Sequence, residues 1–124
     1  MKKLSVEFRT EGSAAVLMAE GILDEGATFE LHRRVGESIA TGFRSIVLNL
    51  TGVVSMTPDG IMLLEAIRHD VALCDGTLIL TVPQADAAEM LKVYGLSDHI
   101  LIMPTEKEAL RRLDNPPPSA WAMA

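Results

Sequence analysis

The sequence predicts an α/β domain, a mixed sheet of about five strands with about four helices packed on it. Three observations carry this reading. The runs Ser45-Ile46-Val47-Leu48-Asn49-Leu50 and Thr77-Leu78-Ile79-Leu80-Thr81-Val82 are short and strongly apolar, the character of strands covered on both faces. Helical stretches alternate with these runs, the pattern of a largely parallel sheet. The N-terminal stretch instead alternates apolar and polar residues, the period-2 signature of a half-buried hairpin.

Leu4 to Arg9 predicts the first strand, Thr10-Glu11-Gly12-Ser13 a turn, and Ala14 to Glu20 the second strand. Gly21-Ile22-Leu23-Asp24-Glu25-Gly26 reads as a loop. A helix over Ala27 to Ala40 follows. Ala27, Leu31, Val35 and Ile39 form its apolar stripe, while Glu30, Arg33, Arg34 and Glu37 face water. Gly42 ends it.

After the strand over Ser45 to Leu50, Thr51 to Met56 leads into Thr57-Pro58-Asp59-Gly60. That segment is a well-made helix start. Thr is a good N-cap, Pro is favoured at the first helical position, and Asp in the first turn complements the helix dipole. The helix runs to Leu73, with Leu63, Leu64, Ile67 and Val71 as its core face. Asp75-Gly76 is a turn, and Pro83 ends the next strand.

A helix over Ala85 to Tyr94 closes at Gly95, and a short strand spans His99 to Met103. Thr105 and Glu108 form a capping box that opens a last helix ending near Leu113. Residues 1–113 therefore read as a single domain. Residues 114–124, with Pro116-Pro117-Pro118 and Trp121, read as a disordered or extended tail.

Of the 124 residues, 48% are hydrophobic and 23% charged, enough apolar side chains for a packed core. Aromatics make up only 4%, so Leu, Ile, Val, Met and Ala must build it. The net charge of −6 and the lack of a basic stripe argue against a nucleic-acid partner. No run approaches the roughly 18 apolar residues a membrane-spanning helix needs, so no membrane insertion is expected. The start lacks a signal-peptide core, and a cytoplasmic protein is the default. The single cysteine, Cys74, is expected to be a buried, inert thiol.

Catalysis has little support, and no cofactor or metal is expected. The three histidines, His32, His69 and His99, have no partner at metal-ligand spacing. There is no nucleophile elbow and no phosphate-loop motif.

The order of elements resembles the STAS domain (sulphate transporter and anti-sigma factor antagonist) over about Val16 to Leu113. Gly21-Ile22-Leu23-Asp24 is similar to the family's Gly-x-Leu-Asp loop. Ile46-Val47-Leu48-Asn49-Leu50-Thr51-Gly52-Val53 is similar to its central strand. Leu91 to Leu96 is similar to its Leu-x-x-x-Gly-Leu element.

In bacterial anti-sigma factor antagonists of this family the helix start reads Asp-Ser-Ser-Gly. An anti-sigma factor that is also a kinase phosphorylates the second Ser, and this breaks their complex. Here Thr57 stands for the Asp, Pro58 for the first Ser and Asp59 for the phosphorylated Ser, while Gly60 is retained. Asp59 cannot accept phosphate from a serine kinase. It either mimics the phosphorylated state or meets a partner surface that accepts a permanent acid. Thr57 and Ser55 remain as alternative acceptors.

The resemblance implies a regulatory protein-binding module whose partner is an anti-sigma factor of the serine-kinase type or another regulatory protein. Asp24, Ser55, Met56, Thr57, Pro58, Gly60, Ile61 and Met62 are the candidate contact residues around Asp59. Met56 and Met62 are either contacts or core, and Asp24 either lies near Asp59 or caps its own turn. A monomer or weak dimer is expected. The alternative implied by the same resemblance is a small STAS subunit that binds the ATPase of a lipid-transporting ABC system. Gene neighbours would separate the two.

Overall fold

The computed structural model describes residues 4–82, 85–96 and 100–114. The expectations for Pro83, His99 and the tail with Trp121 lie outside these residues. The five strands are β1 (Ser5–Glu11), β2 (Ala14–Leu23), β3 (Ser45–Met56), β4 (Thr77–Thr81) and β5 (Leu101–Met103). The helices are α1 (Thr28–Thr41), α2 (Pro58–Leu73), α3 (Ala85–Val93) and α4 (Glu106–Asp114), with a 3-10 turn at Glu25–Ala27 before α1.

The strands lie in the order β1-β2-β3-β4-β5. β1 and β2 form the antiparallel hairpin, and all later pairs are parallel. Gly12, at φ +60°, takes the first central position of the two-residue turn that joins β1 to β2. Each parallel connection carries a helix, and successive connections step across the sheet in one direction. Right-handed crossovers then place α1, α2 and α3 on one face.

The core follows this division. On one face Leu17, Ile46, Leu48, Leu50 and Leu80 of the sheet bury Leu31 and Val35 of α1, Ile61, Leu64, Ile67 and Val71 of α2, and Leu91 of α3. On the other face Val16, Val47 and Ile79 pack against Ala109, Leu110 and Leu113 of α4. Strand alternation explains the split, because neighbouring residues of β3 point to opposite faces.

Two expectations about the strands change. β2 continues through Gly21-Ile22 to Leu23, where the sequence suggested a loop, and β3 continues through Thr51 to Met56, past the expected strand end at Leu50. The β2–β3 register shifts between Met18 and Glu20 and again between Gly21 and Ile22, which lets both strands extend and sets Leu23 beside Met56. Irregular pairing of this kind leaves no clean period-2 pattern to read.

Cys74 is exposed, not buried. It is the C-cap of α2, past the end of the apolar stripe, and Asp75 after it adopts φ +59° as the chain leaves the helix. None of the helices among the described residues is long and apolar enough to cross a membrane.

Candidate functional site

The C-terminal ends of β2 and β3 meet at the start of α2. Thr57 NH donates to Leu23 O at 3.0 Å, which ties the helix start to the end of β2. Thr57 is the N-cap: its backbone is extended (φ −99°, ψ 163°), and its Oγ1 accepts from Gly60 NH at 3.2 Å. Thr57 O then accepts from Ile61 NH at 3.0 Å as the helix begins. Pro58 occupies the first helical position, where no NH partner is needed. The Thr57 hydroxyl is thus engaged in capping, as the residue types predict.

Asp59 follows in the first turn and is exposed. Its carboxylate stands where the helix dipole favours negative charge. Met62, one turn further, is 67% exposed, which resolves it as a surface residue. Ala66, His69 and Leu73 continue this outward stripe at helical spacing. Pro58 and Ser55 are exposed as well, while Met56 is half-buried and packs against the main core.

Two candidate contacts are corrected. Ile61 is 1% exposed and belongs to the core, so it cannot present a contact surface. Helical geometry separates it from Asp59 by about 200° at 100° per residue, which turns it toward the sheet. Gly60 is buried against the end of β2, and a β-carbon there would lie 2.1 Å from Leu23 O. Glycine is required at this position by close packing.

Asp24 caps its own turn. Its Oδ1 accepts from Ala27 NH at 3.0 Å, and its backbone carbonyl accepts from the same NH at 3.1 Å. It shapes the 3-10 turn before α1, the local role the residue type favours. The sequence reading missed two exposed apolar residues at this end of the sheet, Val54 at 68% and Phe29 at 78%. Strict alternation along β3 would set Val54 on the core face with Ile46, Leu48 and Leu50, and the register shift against β2 reverses that phase, so sequence alone carried no signal for it. Phe29 falls in line with Arg33 and Glu37 at four-residue spacing, opposite the apolar stripe of α1, and that spacing was the signal for its exposure.

Among the described residues no group of three or more His, Cys, Asp or Glu is placed to hold a metal ion. His32 Nε2 contacts Asp70 Oδ2, a surface link between α1 and α2. What the α2 start offers is a shaped surface: one fixed acid flanked by apolar side chains.

Solved structures of the same fold include several anti-sigma factor antagonists. SpoIIAA in its unphosphorylated form has a TM-score of 0.69 at 19% identity, covering 90% of this chain and 99% of that one. Bacillus SpoIIAA in its phosphorylated form gives 0.66 at 21%, covering 88% and 99%. An anti-sigma factor antagonist from Mycobacterium paratuberculosis gives 0.76 at 18%, covering 91% and 96%. RsbS of Moorella thermoacetica, carrying a serine-to-glutamate substitution, gives 0.76 at 17%, covering 89% and 95%. No curated protein sequence matches the chain significantly. The STAS domain family matches residues 5–109, nearly the whole described body, and the chain belongs to that family.

Proposed function

We propose that this STAS domain is a regulatory binding module of the anti-sigma factor antagonist type. It takes an anti-sigma factor of the serine-kinase class on the surface around the start of α2, and Asp59 fixes a charge that phosphorylation would otherwise switch. The observation that carries this reading is the exposed Asp59 carboxylate in the first turn of α2, with exposed Met62 on the same helix face. The likeness to SpoIIAA and RsbS supports it.

A serine at position 59 would be neutral until modified, and a phosphoserine would carry about −1.5 to −2. Asp59 presents its carboxylate without any modification. Burying a carboxylate in an interface costs several kcal/mol unless a cation pairs with it. A partner of the native protein therefore supplies an Arg or Lys opposite Asp59, and a partner shaped for a neutral serine is rejected. Met62, Val54 and Pro58 supply the apolar contact around the charge, with Met62 able to adapt its shape.

Titration calorimetry against the anti-sigma kinases of the source organism tests this, using the native protein and Asp59→Ser with and without ATP. The native protein is expected to bind one of them with an affinity that ATP does not change. Asp59→Ser is expected to gain phosphate at position 59 and to lose its kinase when ATP is added. Absence of binding by both forms would sink the reading. Phosphate mapped to Thr57 or Ser55 of the native protein would refute the fixed charge and show that the switch has moved.

A further inference from the structure

The two edges of the sheet are built differently. β5 is three residues long. β1 is seven residues long, contains neither Pro nor Lys, and pairs with β2 without a bulge. Among the described residues no strand lies beyond it. Proteins usually blunt an edge of this kind, because its unpaired NH and CO groups recruit another strand.

The backbone phase of β1 follows from its turn. Glu11 and Ala14 flank a two-residue loop, so they form a hydrogen-bonded pair, and such pairs recur at every second residue. Ser5, Glu7, Arg9 and Glu11 therefore direct their backbone groups to β2. Val6, Phe8 and Thr10 turn theirs outward to the free edge.

The side chains select one register for a second copy of β1. With Phe8 on a two-fold axis, Phe8 meets Phe8, Val6 meets Thr10, and Glu7 meets Arg9 twice. The outward-turned residues then form the hydrogen-bonded pairs, each exchanging two bonds. Sliding by one step in either direction sets Glu7 against Glu7 or Arg9 against Arg9. Only the Phe8-centred register sets each Glu7 opposite an Arg9.

Phe8 adds an independent reason. It is 44% exposed, meets Phe43 edge-on at 5.8 Å between ring centroids, and borders a depression of about 230 Å³ lined also by Arg34, Glu37, Ser38 and Thr41. Burial of this aromatic and its neighbouring depression favours the approach of a second Phe8.

The geometry points to a homodimer formed by antiparallel β1–β1 pairing of two copies of this chain about Phe8, joining their sheets into one. β2 separates this edge from β3, so the surface at the start of α2 stays uncovered. The dimer thus stands apart from the proposed partner site.

Sedimentation equilibrium of the full chain under reducing conditions tests the proposal, with circular dichroism confirming that each variant folds. The native protein is expected to dimerise reversibly. Glu7→Arg and Arg9→Glu should each weaken self-association about tenfold or more, since like charges then face each other at both off-axis positions. Mixed together, the two variants should recover the native affinity as a heterodimer. One chain then presents arginine at both off-axis positions and the other presents glutamate at both, so every facing pair is again of opposite charge. Because Arg9 also binds Glu106, a second measurement does not depend on it. Phe8→Cys in a Cys74→Ser background should oxidise to a disulfide dimer, as paired α-carbons about 5.5 Å apart permit. A native protein that stays monomeric up to millimolar concentration, a Glu7→Arg dimer as strong as the native one, or failure of Phe8→Cys to cross-link would overturn the proposal.

Discussion

Gly60 lies so close to Leu23 that a β-carbon on it would come within 2.1 Å of the Leu23 carbonyl oxygen and 2.7 Å of its carbonyl carbon. The obstructing atoms are main chain in β2, which Thr57 NH also holds by its hydrogen bond to the same carbonyl. Neither side can rotate away. Gly60→Ala gains helix propensity of about 1 kcal/mol but forces apart two anchored segments. We expect a net loss of about 2 kcal/mol of stability in urea denaturation. Gly36, inside α1 with nothing within 4 Å of its would-be β-carbon, is the matched control. Gly36→Ala should raise stability by about 0.5–1 kcal/mol. Equal effects at the two sites would contradict the close approach.

Thr57 makes the helix start by one side-chain bond, Oγ1 accepting from Gly60 NH at 3.2 Å. Thr57→Ala removes it and leaves that NH without its cap. The expected cost is about 1 kcal/mol, and Thr57→Ser should restore most of it. If the hydroxyl served only as a phosphate acceptor, Thr57→Ala would leave the unfolding midpoint unchanged.

Glu106, at the first position of α4, joins three elements. One carboxylate oxygen accepts from Arg9 of β1 and the other from the Asn49 amide of β3. Asn49 Oδ1 in turn accepts from Thr51 NH at 2.8 Å. The hydrogen bond with Glu106 raises the Arg9 pKa above its already high ordinary value, so this guanidinium stays charged at physiological pH. Arg9 is 39% exposed, so its ion pair is screened and counts for little. The Asn49 amide counts for more, because Glu106→Ala leaves it without its acceptor. We expect a loss of roughly 1–2 kcal/mol, with faster hydrogen exchange in α4 and unchanged exchange in α2. Glu106→Gln, which can still accept from Asn49, should recover about half of that stability.

The buried stripes of α1 and α2 were legible in the sequence because each obeys one period, and the centres of β3 and β4 because an unbroken apolar run marks a strand covered on both faces. Thr57 and Pro58 were legible for a similar reason: N-capping is local chemistry. Ile61 and Gly60 were misjudged because the family pattern marks a stretch of chain, whereas exposure is set residue by residue around the helix. The fit of Gly60 against Leu23 depends on where β2 ends, and the register shifts that carry β2 to Leu23 leave no local signal. The bridge from Glu106 to Arg9 and Asn49 spans elements far apart in sequence, and such pairings do not show in periodicity.

Cys74 was expected to be buried because it follows the apolar helix residues Val71, Ala72 and Leu73. The stripe that enters the core ends at Val71, and both Leu73 and Cys74 stand in solvent. Reactivity of a thiol depends on access as well as on its thiolate fraction. Native protein without denaturant should therefore titrate about one thiol per chain with a disulfide reagent, on the same timescale as urea-unfolded protein. Its labelling should leave the circular dichroism spectrum and the unfolding midpoint unchanged, since the adduct meets no packed surface. Air oxidation should also yield a disulfide-linked dimer that Cys74→Ser abolishes. A thiol that reacts only after unfolding would return Cys74 to the core and move the end of the α2 stripe beyond it.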